Sequence, residues 1–262
     1  MNDPHVERLH YKLATGAHLS FSSPPPLDAE TGAFRMRLEN GALTFEMKEH
    51  HATEETAKAC VHGYIRAWEI ATDLTHGRGS LRFKFERADI IDRNPLATSG
   101  ARYLERHTSN VLGLGDRVAT HASKATYLPP PVGFKATQDV ETMMLRYEMY
   151  LDGREPLLSM ANACMTCLEG STGATSKVRE AFCQTYHIDR SVREKLGAIV
   201  SERGGPDEAR KLGGSATKTS LTNQEKQWVE ACVKALIRRK AEYDADPTTP
   251  LKQITLSDFV PL

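Results

Sequence analysis

An excess of basic charge is the first thing this sequence lacks. Lysine and arginine number 34 and aspartate and glutamate 34, and the balance is local: residues 1–130 hold 16 of each sign and residues 131–262 hold 18 of each. A nucleic-acid binder replaces the counterions around phosphate with its own cations, so even balance in both halves argues against nucleic acid as the default partner. No apolar run approaches the ~20 residues that span a bilayer, so no membrane partner is expected. Met1 to Pro4 is polar and acidic, with no basic stretch leading into an apolar one, so no export signal is expected. Five cysteines is an odd count, and without export they are expected as reduced thiols in the cytoplasm.

The common catalytic signatures are missing as well. The sequence contains no Gly-x-Ser-x-Gly, no Gly-x-Gly-x-x-Gly and no His-Glu-x-x-His. Gly213–Thr219 has the composition of a phosphate loop, but that pattern needs glycine where Leu212 and Thr217 stand, and no strand precedes it. It reads as a connector.

What is present points to an α+β protein in two parts. Proline triplets at 24–26 and 129–131 should be extended and solvent-facing, since proline fixes φ and removes a donor. The second separates a strand-like half from a helix-like half, giving an α+β domain over 1–130 and a helical bundle with an extended C-terminal arm over 131–262. In the first half, Asn40-Gly41 is the strongest two-residue hairpin signal, because a type I′ turn needs φ > 0 at both positions. It pairs Leu38 with Leu43, Met36 with Phe45 and Phe34 with Met47 on one face, leaving Arg35, Arg37, Thr44 and Glu46 on the other. Thr53-Glu54-Glu55 starts a helix that Gly77 ends, and Leu81, Phe83 and Phe85 alternate as a strand. Residues 94–126 leave room for strands near 101–107 and 116–127. The expectation is a small antiparallel sheet with one helix packed on it.

The second half reads as helices over Gln138–Leu151, Leu157–Leu168, Lys177–His187 and Ser191–Ser201. A last helix opens on the capping box Thr222-x-x-Glu225 and ends at Arg238-Arg239-Lys240, where basic side chains suit the negative end of the dipole. The tail, Pro250–Leu262, should pack back through Ile254, Leu256, Phe259 and Val260.

Three constellations offer chemistry, each beside a plainer explanation. Cys164-x2-Cys167 with Cys183-x3-His187 is a Cys₃His set of zinc-like spacing, zinc being the alternative to the expectation of no cofactor; yet Cys164 and Cys167 lie in the most apolar helix, where a thiol behaves as a small hydrophobe. Arg102-x4-His107 has the spacing of a ribonuclease Arg/His pair, but outside the helical half. Glu46-x-Lys48, with Asp28 upstream, is similar to the metal-dependent PD-(D/E)xK nucleases, but alternation on a solvent-facing strand yields Glu-x-Lys readily. His50-His51 at a hairpin end is a further metal-capable pair, with exposed capping as its ordinary role.

Gly153-Arg154-Glu155-Pro156-Leu157, Ala209-Arg210-Lys211, Leu221-Thr222-x2-Glu225, Leu236-Ile237-Arg238-Arg239 and Gln253–Phe259 together resemble a bacterial family labelled methylamine utilization protein MauJ. The resemblance covers roughly residues 130–262 and implies a bacterial, cytosolic protein without implying chemistry. The bundle is also similar in outline to HEPN domains, which would make it a non-catalytic relative. The leading expectation is thus a non-enzymatic accessory or protein-interaction module. Its partner surface is expected at Arg203–Ser220 or the C-terminal arm. The alternatives are a nucleic-acid-cleaving enzyme of phage defence or a toxin–antitoxin system, and a zinc-stabilised module.

Overall fold

The structure, a computed structural model, describes residues 2–16, 19–94, 122–204 and 219–262. It divides into two compact units, Met1–Pro131 and Val132–Leu262.

The first unit is an antiparallel sheet with a helix on one face. Its strands are β1 (Pro4–Thr15), β2 (Leu19–Phe21), β3 (Leu27–Glu30), β4 (Phe34–Glu39), β5 (Ala42–Met47), β6 (Leu81–Asp92) and β7 (Ala122–Lys124), and its helix is α1 (Glu54–His76). Five strands form the sheet in the order β3-β4-β5-β1-β6, while β2 and β7 make a separate parallel pair. The hairpin has the anticipated register, Phe34↔Met47, Met36↔Phe45 and Leu38↔Leu43. Asn40 (φ 50°) and Gly41 (φ 76°) both take the left-handed conformation that a type I′ turn demands. α1 opens on Thr53, whose hydroxyl accepts from Thr56 N, and closes on Gly77 at φ 99°.

The core between sheet and helix is aromatic. Phe45 meets Tyr11, Phe34 and Tyr64 edge-on, and Trp68 stacks at a tilt on Phe83. Trp68 also donates its indole N–H to Leu128 O at 3.0 Å, so its one polar atom is satisfied.

β1, an interior strand between β5 and β6, does not read as a strand in the sequence. Register shifts against β6 fall between Val6 and Arg8 and between His10 and Tyr11. The first lets Val6 and Leu9 both turn inward although they are three apart, which breaks the period-2 pattern. Of the strands anticipated near 101–107 and 116–127, the first and residues 116–121 lie outside the described residues; β7 falls within the rest.

The second unit contains α2 (Gln138–Leu151), α3 (Leu157–Ser171), α4 (Val178–Thr185), α5 (Arg190–Glu202) and α6 (Asn223–Ala245), then a 3₁₀ turn at Leu256–Asp258. Both halves of the Thr222/Glu225 capping box are made. The end expected at Arg238-Arg239-Lys240 is not the end: α6 runs on to Ala245, and Arg239 is only 5% exposed. Its guanidinium donates to Tyr186 O at 2.6 Å, His187 O at 3.1 Å and Lys252 O at 2.6 Å. Lys240 is buried beside it and pairs with Asp244 at 2.7 Å and Asp139 at 3.1 Å. These cations therefore join segments rather than complement a dipole. The arm packs back, but through Ile254 and Phe259 only; Val260 is 62% exposed and Leu256 is exposed too. Among the described residues no helix is long and apolar enough to cross a membrane.

Candidate functional site

One face of the five-stranded sheet carries α1 and the other carries charge. A basin of about 870 Å³ lies on the charged face, floored by Arg8 and His10 of β1, Asp28 and Glu30 of β3, Arg35 and Arg37 of β4, and Thr44 and Glu46 of β5. Most of these groups are paired across strands. Arg37 meets Asp28 at 3.3 Å and Glu39 at 3.0 Å, and Arg35 meets Glu30 at 3.5 Å. Lys48, just beyond β5, reaches Glu30 at 2.7 Å. The hydrogen bond and charge of Lys48, with Arg35 behind it, hold the Glu30 carboxyl below its ordinary range. Glu39 and Asp28 raise Arg37 in the same way.

At the centre a carboxylate, an imidazole and a hydroxyl stand in a row across three strands. His10 Nε2 lies 2.8 Å from Asp89 Oδ2 of β6, and His10 Nδ1 lies 3.4 Å from Thr44 Oγ1. The tautomer that satisfies both has Nε2–H donating to the carboxylate and Nδ1 accepting from Thr44. Asp89 is fixed in turn by Arg87 at 3.2 Å. Arg8 and Glu46 are direct cross-strand neighbours, yet neither makes an ion pair with another described residue. His10, Asp89 and Arg8 carry no sequence motif: they come from two strands 79 positions apart at their closest hydrogen-bonded pair, and the bulges set which of them face out.

The anticipated sites fare differently. Arg102 and His107 lie outside the described residues. Glu46 and Lys48 share a face of the sheet, but Asp28 is on β3 with β4 between, and the registers place Arg37 opposite Asp28 and Arg35 opposite Glu46. At about 4.8 Å per strand the Asp28 and Glu46 backbones are roughly 10 Å apart, with arginines of β4 between them.

The Cys₃His set is not brought together: among the described residues no group of three or more His, Cys, Asp or Glu could hold a metal ion. Cys164 and Cys167 direct their thiols at carbonyls of α2, Met143 O and Asp139 O, both at 3.9 Å. Burial pushes both thiols up, and Cys183 likewise. Cys183 lies in a cleft of about 550 Å³ between α4 and α5. Two of the cations that line it are engaged, Arg193 with Glu169 at 2.7 Å and Arg190 with Glu194 at 2.6 Å. His187 sits at φ 48° in the turn after α4, where its carbonyl serves Arg239.

His50-His51 gains a third member. The His5 ring stacks on His50 at 5.4 Å, and His5 Nδ1 accepts from His51 N at 3.4 Å.

Compared with protein-family models, with curated proteins and with solved structures, the chain finds no match in any of the three.

Proposed function

We propose that this chain acts by binding another protein, and that the open face of its five-stranded sheet is the binding surface. The observation that carries the reading is the basin's charge: three arginines stand against three carboxylates on its floor, with Arg8 and Glu46 unpaired among the described residues. A polyanion or an anionic membrane surface meets no net potential there. A polypeptide segment bearing both signs finds a partner for each. The test is affinity capture from host extract by the wild-type chain and by an Arg8→Glu/Glu46→Arg variant, quantified by mass spectrometry. The reading expects a captured protein whose recovery falls at least tenfold in the variant; equal recovery of every captured protein counts against it.

A second reading, cleavage of nucleic acid, is favoured by one observation, the His10–Asp89 pair on a floor that also carries guanidinium groups. An imidazole held by a carboxylate is a general acid–base group, and arginine binds phosphate in a forked geometry. Labelled RNA and DNA incubated with magnesium, manganese or zinc test it. Cleavage abolished by His10→Ala supports this reading, cleavage abolished only by His107→Ala moves it to the Arg102/His107 pair, and no cleavage under any metal sinks it.

The bacterial, cytosolic MauJ-labelled family and the HEPN-like outline of 131–262 stay with the proposal as lineage. Neither the helix order nor the arm's seat recurring in an experimental structure of a MauJ-labelled protein would remove that part.

A further inference from the structure

We propose that the C-terminal arm occupies its seat on the helical bundle as an exchangeable ligand. The seat is a groove for an extended peptide that carries an aliphatic anchor and, five residues on, an aromatic one. This stands on the second unit alone and is independent of the sheet face.

The arm is held as a bound peptide is held. Ile254 N donates to His187 O at 2.9 Å and Asp189 N donates to Ile254 O at 2.8 Å, a parallel bridge between Ile188 and Ile254. This is strand addition of the kind by which exposed backbone captures an extended segment. Arg239 supplies a fixed donor from the groove floor to Lys252 O at 2.6 Å. Two side chains are sunk: Ile254 is 8% exposed and Phe259 is 9% exposed, its ring 5.5 Å from that of Trp228. Backbone bonds with two pocketed anchors make an affinity-plus-specificity scheme that does not require the ligand to be tethered.

Two further features separate the arm from the bundle. The connection is exposed from Ala245 through Pro250, so nothing packs the tether down. The arm also holds its own shape: Asp258 accepts from Thr255 N at 2.8 Å and pairs with Lys252 at 3.1 Å, closing the 3₁₀ turn without help from the helices. A segment already close to its bound conformation loses less freedom on docking, in cis or in trans.

The experiment uses the full chain with both anchors removed but the arm still attached, Ile254→Ser/Phe259→Ser, and a fluorescein-labelled peptide of residues 250–262. Fluorescence anisotropy should show saturable binding to the variant at least tenfold tighter than to wild type, where the tethered arm competes at an effective concentration of the order of millimolar. The same peptide carrying both serines should lose binding. Absence of saturable binding to a variant whose far-UV circular dichroism matches wild type overturns the proposal. Hydrogen exchange on the wild-type chain keeps it falsifiable if the variant does not fold. The amides of Asp189 and Ile254 should then exchange by local opening at least tenfold faster than those of Val229 and Val233 within α6. Equal rates, meaning that the arm leaves only when the bundle unfolds, overturn it as well.

Discussion

Replacing Arg239 tests whether the second unit is held together by a buried cation that serves backbone carbonyls. Arg239→Met keeps an unbranched apolar stem in the same space and removes only the guanidinium. Four bonds disappear, the one from Nε to Glu242 at 3.3 Å among them, but the loss at the carbonyls is uneven: His187 O keeps its bond from Ile254 N, while Tyr186 O and Lys252 O lose the donor they have. A buried acceptor left without a partner costs about 1–3 kcal/mol, so two cost about 2–6 kcal/mol. Lys252 O lies on the arm and regains water if the arm lifts, which places the expectation near 3 kcal/mol. Hydrogen exchange of the α6 interior isolates this unit from the other, and there the change reads as roughly 100-fold faster exchange. In a thermal scan it corresponds to a melting point lower by about 10 °C for a unit of this size. Arg239→Lys should recover less than half, because a single ammonium cannot fork between Tyr186 O and Lys252 O. Exchange within threefold of wild type in Arg239→Met would refute the reasoning and leave Arg239 as packing.

Acid should weaken the first unit from its His5 end. Burial, then Arg93, His50 and His51, lower the His5 pKa, against an opposing pull from Asp3. The unfolded chain therefore binds the proton first: stability is full above about pH 6.5 and falls as pH drops from there toward the lower folded value. Melting scans between pH 7.5 and 5 should show this slope, and His5→Asn should flatten it; an unchanged slope would remove His5 as the cause. Gly41→Ala should cost about 1–2 kcal/mol in urea unfolding, from backbone strain at φ 76° alone, because the added Cβ meets open space. A cost below about 0.5 kcal/mol would mean the turn reshapes freely. EDTA should move the melting temperature by less than 1 °C, since the thiols of Cys164 and Cys167 point to α2 carbonyls. A fall of several degrees would restore the zinc reading.

The elements that could be read from the chain are those whose cause is local. The Asn40-Gly41 turn dictates its own register through φ > 0, so the hairpin and its buried face followed from six side chains. Thr53, Gly77 and the Thr222/Glu225 box marked helix ends because a cap is satisfied within four residues. Gln138–Leu151 came out at both bounds from helical period alone. The α+β class followed from those pieces.

Arrangements whose cause lies far along the chain had to wait for the folded molecule. β1 hides its strand pattern behind the extra residue at Glu7, and its pairing with β6 puts His10 beside Asp89. Arg238-Arg239-Lys240 reads as a helix terminus until Tyr186 and Lys252 are seen to converge on Arg239, which makes its charge a structural bolt. Cys164, Cys167, Cys183 and His187 have metal-like spacing in one dimension. Helix packing points the first two at α2 and leaves the last in a turn, so spacing did not become coordination. Local backbone energetics is written into neighbouring residues, and the sequence alone determined it. Which distant side chains share a cavity, a charge or a carbonyl depends on strand order, bulges and helix packing, and these are set by the whole core at once.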